Sequence, residues 1–193
     1  MGRVASHLPS SYVSWVESNS PKLTLAAEGL CLKCGLCCNG VIFADVRLQR
    51  GDRAEHLKAL GLPVTGSRPM VFAQPCAALE GCRCRIYNDR PRYCREFDCL
   101  LLKRFKAGKI GGRAAHQLVA TARGQAERVH ELLNRLGERD DKAPLATRFR
   151  RTAKRLEQNA QGDKTARTYG ELTLAFHDLS LLLSETFYPA PCE

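Results

Sequence analysis

Apolar residues recur at helical spacing through the last third of the chain. Between residues 113 and 137 they form a stripe at steps of three and four, while Arg123, Arg128 and Arg135 fall mostly outside it. Such a stripe is typical of a helix that buries one face. Its members are Ala115, Leu118, Val119, Ala122, Val129, Leu132, Leu133 and Leu136.

Two further helices are predicted after this one. The first begins near Pro144, since proline is tolerated in a first helical turn, and the second covers Tyr169 to Phe187. The second is the more apolar and is therefore expected to be the more buried. The polar stretches GERDDKAP and QNAQGDKTA connect the three helices into a helical C-terminal part, residues 112–188.

The region before these helices has no comparable periodicity. Glycines and prolines are frequent between residues 35 and 91, which favours loops over long regular elements. VIFADVRL is compatible with a short strand or with the beginning of a helix. After Pro91, the segment YCREFDCLLLKRFKAGK is predicted to be one helix that ends at Gly108, with Asn88 or Asp89 capping its start.

The fold class that these patterns predict is mainly α. It consists of an N-terminal extension over residues 1–24, an irregular cysteine-rich module with short helices over residues 25–107, and the helical C-terminal part packed on that module. A chain of 193 residues can bury a hydrophobic core without the help of disulfides.

The cysteine content adds a chemical expectation. The chain has ten cysteines, of which nine lie between Cys31 and Cys99, and Cys192 is expected to be an incidental free thiol. The first residues lack the continuous apolar stretch of a secretory signal, and no segment is apolar enough for a membrane span, so we expect a cytoplasmic protein without membrane contact. In that reducing compartment, clustered cysteines are more often metal ligands or catalytic groups than disulfides.

The densest cluster is CLKCGLCC, residues 31–38. Cys31, Cys34 and Cys37 follow the C-x2-C-x2-C spacing that brings three thiolates to one iron–sulfur cluster, with a fourth ligand from elsewhere in the chain. Cys31 and Cys34 alone would also serve as half of a zinc site. Neighbouring side chains point apart, so Cys38 is expected to complete this centre with the remaining ligands or to serve a second one.

The distant ligands are expected between residues 75 and 99. Cys82 and Cys84 are two residues apart and would face the same way on an extended backbone. Cys94 lies in the first turns of the predicted helix, where the helix N-terminus and three arginines would favour the thiolate. Cys99 lies about 140° further around that helix, so a buried free thiol is favoured there over a ligand. The three arginines are Arg90, Arg92 and Arg95.

These segments resemble the YkgJ-type cysteine-cluster family, known as a zinc- or iron-chelating domain. The resemblance is carried by CLKCGLCC and by QPCAALEGCRCRIYNDRPRYCREF, and it covers about residues 31–97. What it implies is a metal site. The implied ligands are Cys31, Cys34, Cys37, Cys38, Cys76, Cys84 and Cys94. Cys82 and Cys99 stand outside the family motif and are kept as additional candidates.

The function expected from the sequence is metal binding in redox chemistry, metal handling or the assembly of another protein. The cofactor is an iron–sulfur cluster or zinc, and the three-cysteine loop with one remote ligand slightly favours the cluster. The partners are therefore a metal ion or cluster and, in the assembly role, a protein.

Two other functions stay open. The net charge is +10, and the run RFRRTAKR, residues 148–155, is among the most basic segments. A zinc-stabilised module that binds nucleic acid through basic faces is one alternative, although this run on an amphipathic helix is more simply a solvated face. The other is a cluster-dependent transferase or oxidoreductase, although no catalytic motif identifies an enzyme.

Overall fold

The computed structural model describes residues 29–158 and 162–188, so the whole N-terminal extension and Cys192 lie outside the described residues. Helices dominate and strands are two or three residues long, which confirms the mainly α prediction. The elements in chain order are α1 (residues 29–34), β1 (Asp45–Arg47), α2 (Ala54–Ala59), β2 (Val71–Ala73), β3 (Leu79–Glu80), β4 (Arg83–Cys84), a 3₁₀ helix (Tyr87–Asp89), α3 (Arg92–Glu96), α4 (Leu100–Lys106), α5 (Gly112–Arg135), α6 (Leu145–Glu157) and α7 (Asp163–Thr186).

The three long C-terminal helices form as their apolar stripes predict. α5 packs most extensively on α7. Phe149 of α6 stacks on Phe176 of α7 with ring centroids 4.0 Å apart. α7 begins at Asp163, earlier than the predicted Tyr169. Within the described ranges, no helix combines the length and apolar character needed to cross a bilayer.

Two hydrophobic cores organise the described residues. The first, called the helical core, is formed by the four helices α4, α5, α6 and α7. Residues of the CLKCGLCC segment and its continuation, including Leu36 and Ile42, also belong to it. The second, called the small core, lies under the two short sheets. β1 pairs with β2 in antiparallel register, with Val46 opposite Phe72, and β3 pairs with β4. The buried residues of the small core are Val46, Leu57, Leu62, Val64, Phe72, Ala78 and Ile86.

The prediction of one continuous helix after Pro91 is wrong. α3 ends at Glu96, Phe97 and Cys99 adopt extended backbone conformations, and α4 begins at Leu100. Phe97 leaves the helical path and packs on Phe43, with ring centroids 4.9 Å apart. Cys99 then caps α4, because the backbone N–H of Leu102 donates to its Sγ at 3.4 Å.

The start of α3 also differs from the prediction. Asn88 and Asp89 belong to the 3₁₀ helix and do not cap α3. Instead the backbone N–H of Arg92 donates to Oδ1 of Asp52 at 2.8 Å. The carboxylate comes from far along the chain, so tertiary structure supplies the capping role that the local sequence was expected to supply.

The basic run in α6 is only partly a solvated face. The side chain of Arg148 is 2% exposed, and it donates to Nδ1 of His130 at 2.7 Å, to Oδ1 of Asn134 at 3.0 Å and to the carbonyl of Glu138 at 2.8 Å. Burial, and then the charge of Arg148, lowers the pKa of His130, which favours the neutral ring that accepts this bond. Arg148 therefore fastens α6 to the C-terminal end of α5.

Candidate metal centre

CLKCGLCC folds as the end of α1 followed by a tight turn. Cys31 and Cys34 lie on α1, and Gly35 reverses the chain with a φ of +69°. The backbone N–H of Cys38 closes the turn by donating to the carbonyl of Gly35 at 2.9 Å. Leu36, between the cysteines, is fully buried in the helical core and anchors the segment.

Backbone contacts bring Cys38 to two distant cysteines. The N–H of Cys76 donates to the carbonyl of Cys38 at 2.8 Å, and the N–H of Leu79 donates to the carbonyl of Cys76 at 2.9 Å. Cys84 lies opposite Leu79 in the β3–β4 hairpin. The chain therefore assembles Cys38, Cys76 and Cys84 without long regular elements.

The electrostatics place Cys99 with the first three cysteines. The pKa of Cys31 is raised to about 11, first by desolvation of its thiol and then by the charge of Cys99. The residue nevertheless keeps an exposed surface. Burial also raises the pKa of Cys34 to about 12, with Cys99 the strongest thiol neighbour. The pKa of Cys37 lies well above its ordinary value because of burial and then the charges of Cys34 and Cys99. We call Cys31, Cys34, Cys37 and Cys99 the first quartet.

The remaining implied ligands form another group. Burial raises the pKa of Cys38 to about 12, and the next contributions come from Cys76 and Cys84. Burial raises the pKa of Cys94 to about 12, with Cys38, Cys76 and Cys84 next in order. We call Cys38, Cys76, Cys84 and Cys94 the second quartet. The expectation that arginines and a helix N-terminus favour the Cys94 thiolate is wrong for the metal-free protein, since desolvation outweighs the opposing charge of Arg90.

Arg90 lies beside both quartets. Its charge lowers the pKa of Cys31, Cys38 and Cys94 against the larger effect of burial. Its guanidinium carbon lies 3.6 Å from the centroid of the Tyr87 ring, and its Nε donates to the Tyr87 carbonyl at 2.8 Å. Arg90 is therefore fixed where it would offset the charge of bound thiolates.

A cavity of about 250 Å³ lies between the thiols. All four cysteines of the first quartet line it, together with Cys38, Cys84 and Cys94 of the second. Its walls are mainly apolar and aromatic. They include Leu30, Leu36, Phe43, Tyr93, Phe97, Leu101, Leu102, Val119 and Phe187. Gln74 also lines the cavity, is 1% exposed, and its Oε1 accepts no hydrogen bond from the described residues.

A family model supports the metal interpretation. The model "CxxCxxCC: Putative zinc- or iron-chelating domain" matches residues 30–115. Residues 30–115 are thus similar to the CxxCxxCC family. The match confirms the resemblance seen in the sequence, and it extends past the motif to include Cys99, α4 and the start of α5. Comparisons with curated proteins and with solved structures give no match.

The donor chemistry of the CxxCxxCC domain fits zinc or iron. Thiolates are preferred ligands of both zinc and iron–sulfur clusters. As placed, however, no three His, Cys, Asp or Glu side chains in residues 29–158 and 162–188 could hold one metal ion. The quartets are thus groups of neighbouring thiols, all but Cys76 lining the cavity, and the unpartnered Oε1 of Gln74 shows that the cavity wall also offers a polar atom.

Cys82 and Cys84 lie in different parts of the β3–β4 hairpin. Cys82 lies in the turn between β3 and β4, and its Sγ lies 3.8 Å from where a Cβ on Gly35 would be. Cys84 instead lies with Cys38, Cys76 and Cys94. Both thiols line the cavity, and Cys82 belongs to the two-residue turn whereas Cys84 belongs to β4.

The turn at Gly35 requires a positive φ, which favours glycine over residues with a side chain. We expect Gly35→Ala to lower the free energy of unfolding by about 1–2 kcal/mol, because its φ of +69° is costly for a residue with a Cβ. The measurement is urea denaturation of the metal-free protein. The control is Gly124→Ala in α5, where nothing lies within 4 Å of the added Cβ and a gain of about 0.5–1 kcal/mol is expected. Equal effects of the two substitutions would contradict the strain argument.

Proposed function

We propose that the CxxCxxCC domain binds an iron–sulfur cluster through the first quartet, in the service of redox chemistry or of metal handling and assembly for another protein. Cys31, Cys34 and Cys37 supply the three-cysteine loop, and Cys99 is the remote ligand. Such a cluster supplies one-electron redox chemistry when it is bound.

The observation that carries the proposal is the cavity lined by all four thiols of the first quartet. A single zinc ion draws four sulfurs to about 2.3 Å from itself, which places them roughly 3.8 Å apart and leaves no cavity between them. A polyatomic cluster instead occupies space between its ligands. A volume of about 250 Å³ bounded by thiols and apolar walls has room for a polyatomic cluster.

The aromatic wall supports the same proposal. Phe43 meets Phe97 and Tyr93 in edge-to-face contacts with centroids 4.9 and 5.7 Å apart. These rings and the apolar side chains of α4 and α5 form an apolar part of the cavity wall. Burial and hydrogen bonding of the sulfurs are the properties by which a protein tunes the reduction potential of a cluster.

The nucleic-acid alternative has less support from the structure. Arg148 is buried, Arg151 donates to Oδ2 of Asp140 at 2.8 Å, and Arg155 donates to the carbonyl of Leu136 at 2.6 Å. Each of these three cations has a hydrogen-bond partner within the protein, with which a phosphate would have to compete.

The test is anaerobic purification followed by an absorption spectrum and by iron, acid-labile sulfide and zinc analysis. We expect a brown protein that contains iron and sulfide, and we expect Cys37→Ser to lose both. The control Cys82→Ser removes a half-buried thiol from outside the first quartet and should keep the colour. A colourless wild-type protein with zinc as its metal would reject the cluster.

A further inference from the structure

The strand β1 has one edge to which no described residue is paired. We propose that this edge pairs with β1 of a second copy of the chain, in antiparallel register about a twofold axis at Val46. The two short sheets would then form one continuous sheet with the strand order β2–β1–β1–β2. The inference goes beyond the proposed function and does not depend on which metal the thiols bind.

The alternation of hydrogen bonds along β1 shows which of its backbone groups point outward. The carbonyl of Ala44 accepts from the N–H of Gln74 at 3.0 Å, and the N–H of Leu48 donates to the residue that precedes β2 at 2.9 Å. Alternate residues of an antiparallel strand form their hydrogen bonds on opposite sides. The N–H and carbonyl groups of Asp45 and Arg47 therefore point away from β2.

The opposite edge of the same sheet agrees with this alternation. Val71 of β2 lies opposite Arg47 and exchanges two hydrogen bonds, of 2.8 and 2.9 Å, with Thr65 on the side away from β1. The edge of β2 is thus partly covered by Thr65. On the edge of β1, the backbone groups of Asp45 and Arg47 form no hydrogen bond with residues 29–158 or 162–188. An edge with unpaired N–H and carbonyl groups is a template for another strand.

The sequence of β1, Asp45-Val46-Arg47, is complementary to itself. Antiparallel pairing about Val46 places Asp45 of each copy opposite Arg47 of the other. Both members of each such pair point their backbone groups outward, so each pair exchanges two hydrogen bonds and also joins opposite charges. An axis centred on Asp45 or on Arg47 would instead set like charges opposite each other, which is destabilising. The charges therefore select the register centred on Val46.

Both charged side chains are available for this pairing. Asp45 and Arg47 are exposed, and neither has an ion-pair or hydrogen-bond partner within the described parts of the chain. A groove of about 300 Å³ lies beside them, and its other lining residues include Phe43, Ala44 and Tyr93. The edge thus has open space next to it.

The groove shares a wall with the thiol-lined cavity. Phe43 and Tyr93 line both spaces, and their ring centroids lie 5.7 Å apart in an edge-to-face contact. Val46 is 3% exposed and belongs to the small core, which fixes β1 from its buried face. A second copy seated at the β1 edge would cover the outer side of the aromatic wall that separates the groove from the cavity.

The test is sedimentation velocity of the full chain over a range of concentrations, under anaerobic reducing conditions that exclude disulfide-linked dimers. We expect a reversible monomer–dimer equilibrium with a dissociation constant on the order of 10–100 µM, since an edge of three residues lies at the small end of protein interfaces. Arg47→Asp sets acids opposite acids and should weaken dimerisation about tenfold or more. The double variant Asp45→Arg with Arg47→Asp restores opposite charges and should return to within about threefold of the wild type.

Arg50→Asp is the matched control for the change in net charge. Arg50 is also exposed but lies after the end of β1, so its replacement should change the dissociation constant by no more than about twofold. A chain that stays monomeric at every concentration would overturn the proposal. A dimer that Arg47→Asp and Arg50→Asp weaken equally, or that the double variant does not restore, would also overturn it.

Hydrogen exchange on the unaltered chain covers the case in which a variant does not fold. The amides of Asp45 and Arg47 should exchange more slowly as the protein concentration rises, because their N–H groups become bonded in the dimer. Slow exchange of both amides at every concentration in a monomeric chain would assign the edge to residues 1–28 of the same molecule. Fast exchange at every concentration would show an edge without a partner. Either result would overturn pairing with a second copy.

Discussion

Zinc binding to the metal-free protein is expected to strengthen by up to about 10⁴-fold for each pH unit. Burial raises the pKa of Cys38 and Cys94 to about 12, so these thiols are protonated at neutral pH. The pKa of Cys76 is raised for the same reason. A site of four thiols gives up four protons to one zinc ion, and the apparent association constant then rises with the fourth power of the hydroxide concentration.

The distinguishing feature is that the affinity should keep rising with pH above pH 9, because Cys38 and Cys94 still bear protons there. On thiols with the ordinary pKa of 9.0, protons would cease to compete with zinc above that pH, whereas thiols with pKa values of about 12 would still be protonated. The measurement is competition with a metallochromic chelator between pH 6.5 and 9.5, with the affinity of the chelator calibrated at each pH. A logarithmic slope near one, or a slope that flattens by pH 8.5, would contradict the buried thiols.

The raised pKa values also determine whether the metal-free fold gains or loses stability as the pH rises. Cys38 and Cys94 bind their protons more tightly in the folded chain than in the unfolded chain. As the pH rises past 9.0, the unfolded chain therefore ionises first, and the metal-free fold loses stability. Bound metal opposes this loss because it requires the thiolates.

Replacement of Arg148 by methionine is expected to destabilise the protein by about 3 kcal/mol. Methionine can occupy much of the space but cannot donate to Oδ1 of Asn134 or to the carbonyl of Glu138. Buried acceptors that lose their donors cost about 1–3 kcal/mol each, and the loss of packing adds to this. The measurement is the free energy of unfolding from urea denaturation at pH 7.

The control for this prediction lies two residues away on the same helix. Arg150 is exposed and donates to Ala146 and Thr147 within α6, so Arg150→Met should change the unfolding free energy by no more than about 0.5 kcal/mol. Similar losses in the two variants would show that the Arg148 network contributes nothing specific. The pair thus separates the buried hydrogen bonds from the general cost of removing a cation from α6.

The long helices could be predicted from the sequence because their information is local. The stripe of α5 repeats over many turns, and its buried members, such as Val119 and Leu133, are those that the periodicity identifies. Arg148 could not be predicted in the same way. Its partners His130, Asn134 and Glu138 come from α5 and the loop after it, so its burial depends on how two helices meet.

The position of Cys99 shows why the candidate site was harder to predict than the helices. The angle of about 140° between Cys94 and Cys99 holds only on a continuous helix. Phe97 breaks that helix to pack on Phe43, a partner supplied by a distant part of the chain. Periodicity within the segment contains no information about that contact. The spacing of Cys31, Cys34 and Cys37 needed no such partner, because α1 and the Gly35 turn lie within the motif itself.

The contact between α4 and the C-terminal end of α7 bears on how the domain can be handled as a fragment. The N–H of Leu100, next to Cys99, donates to the carbonyl of Phe187 at 3.1 Å, and Phe187 also forms part of the cavity wall. A polypeptide trimmed to residues 30–115 would end within α5 and would lack Phe187. Such a fragment would lack one side of the thiol-lined cavity. We therefore expect a fragment of residues 30–115 to bind metal less well than the full chain.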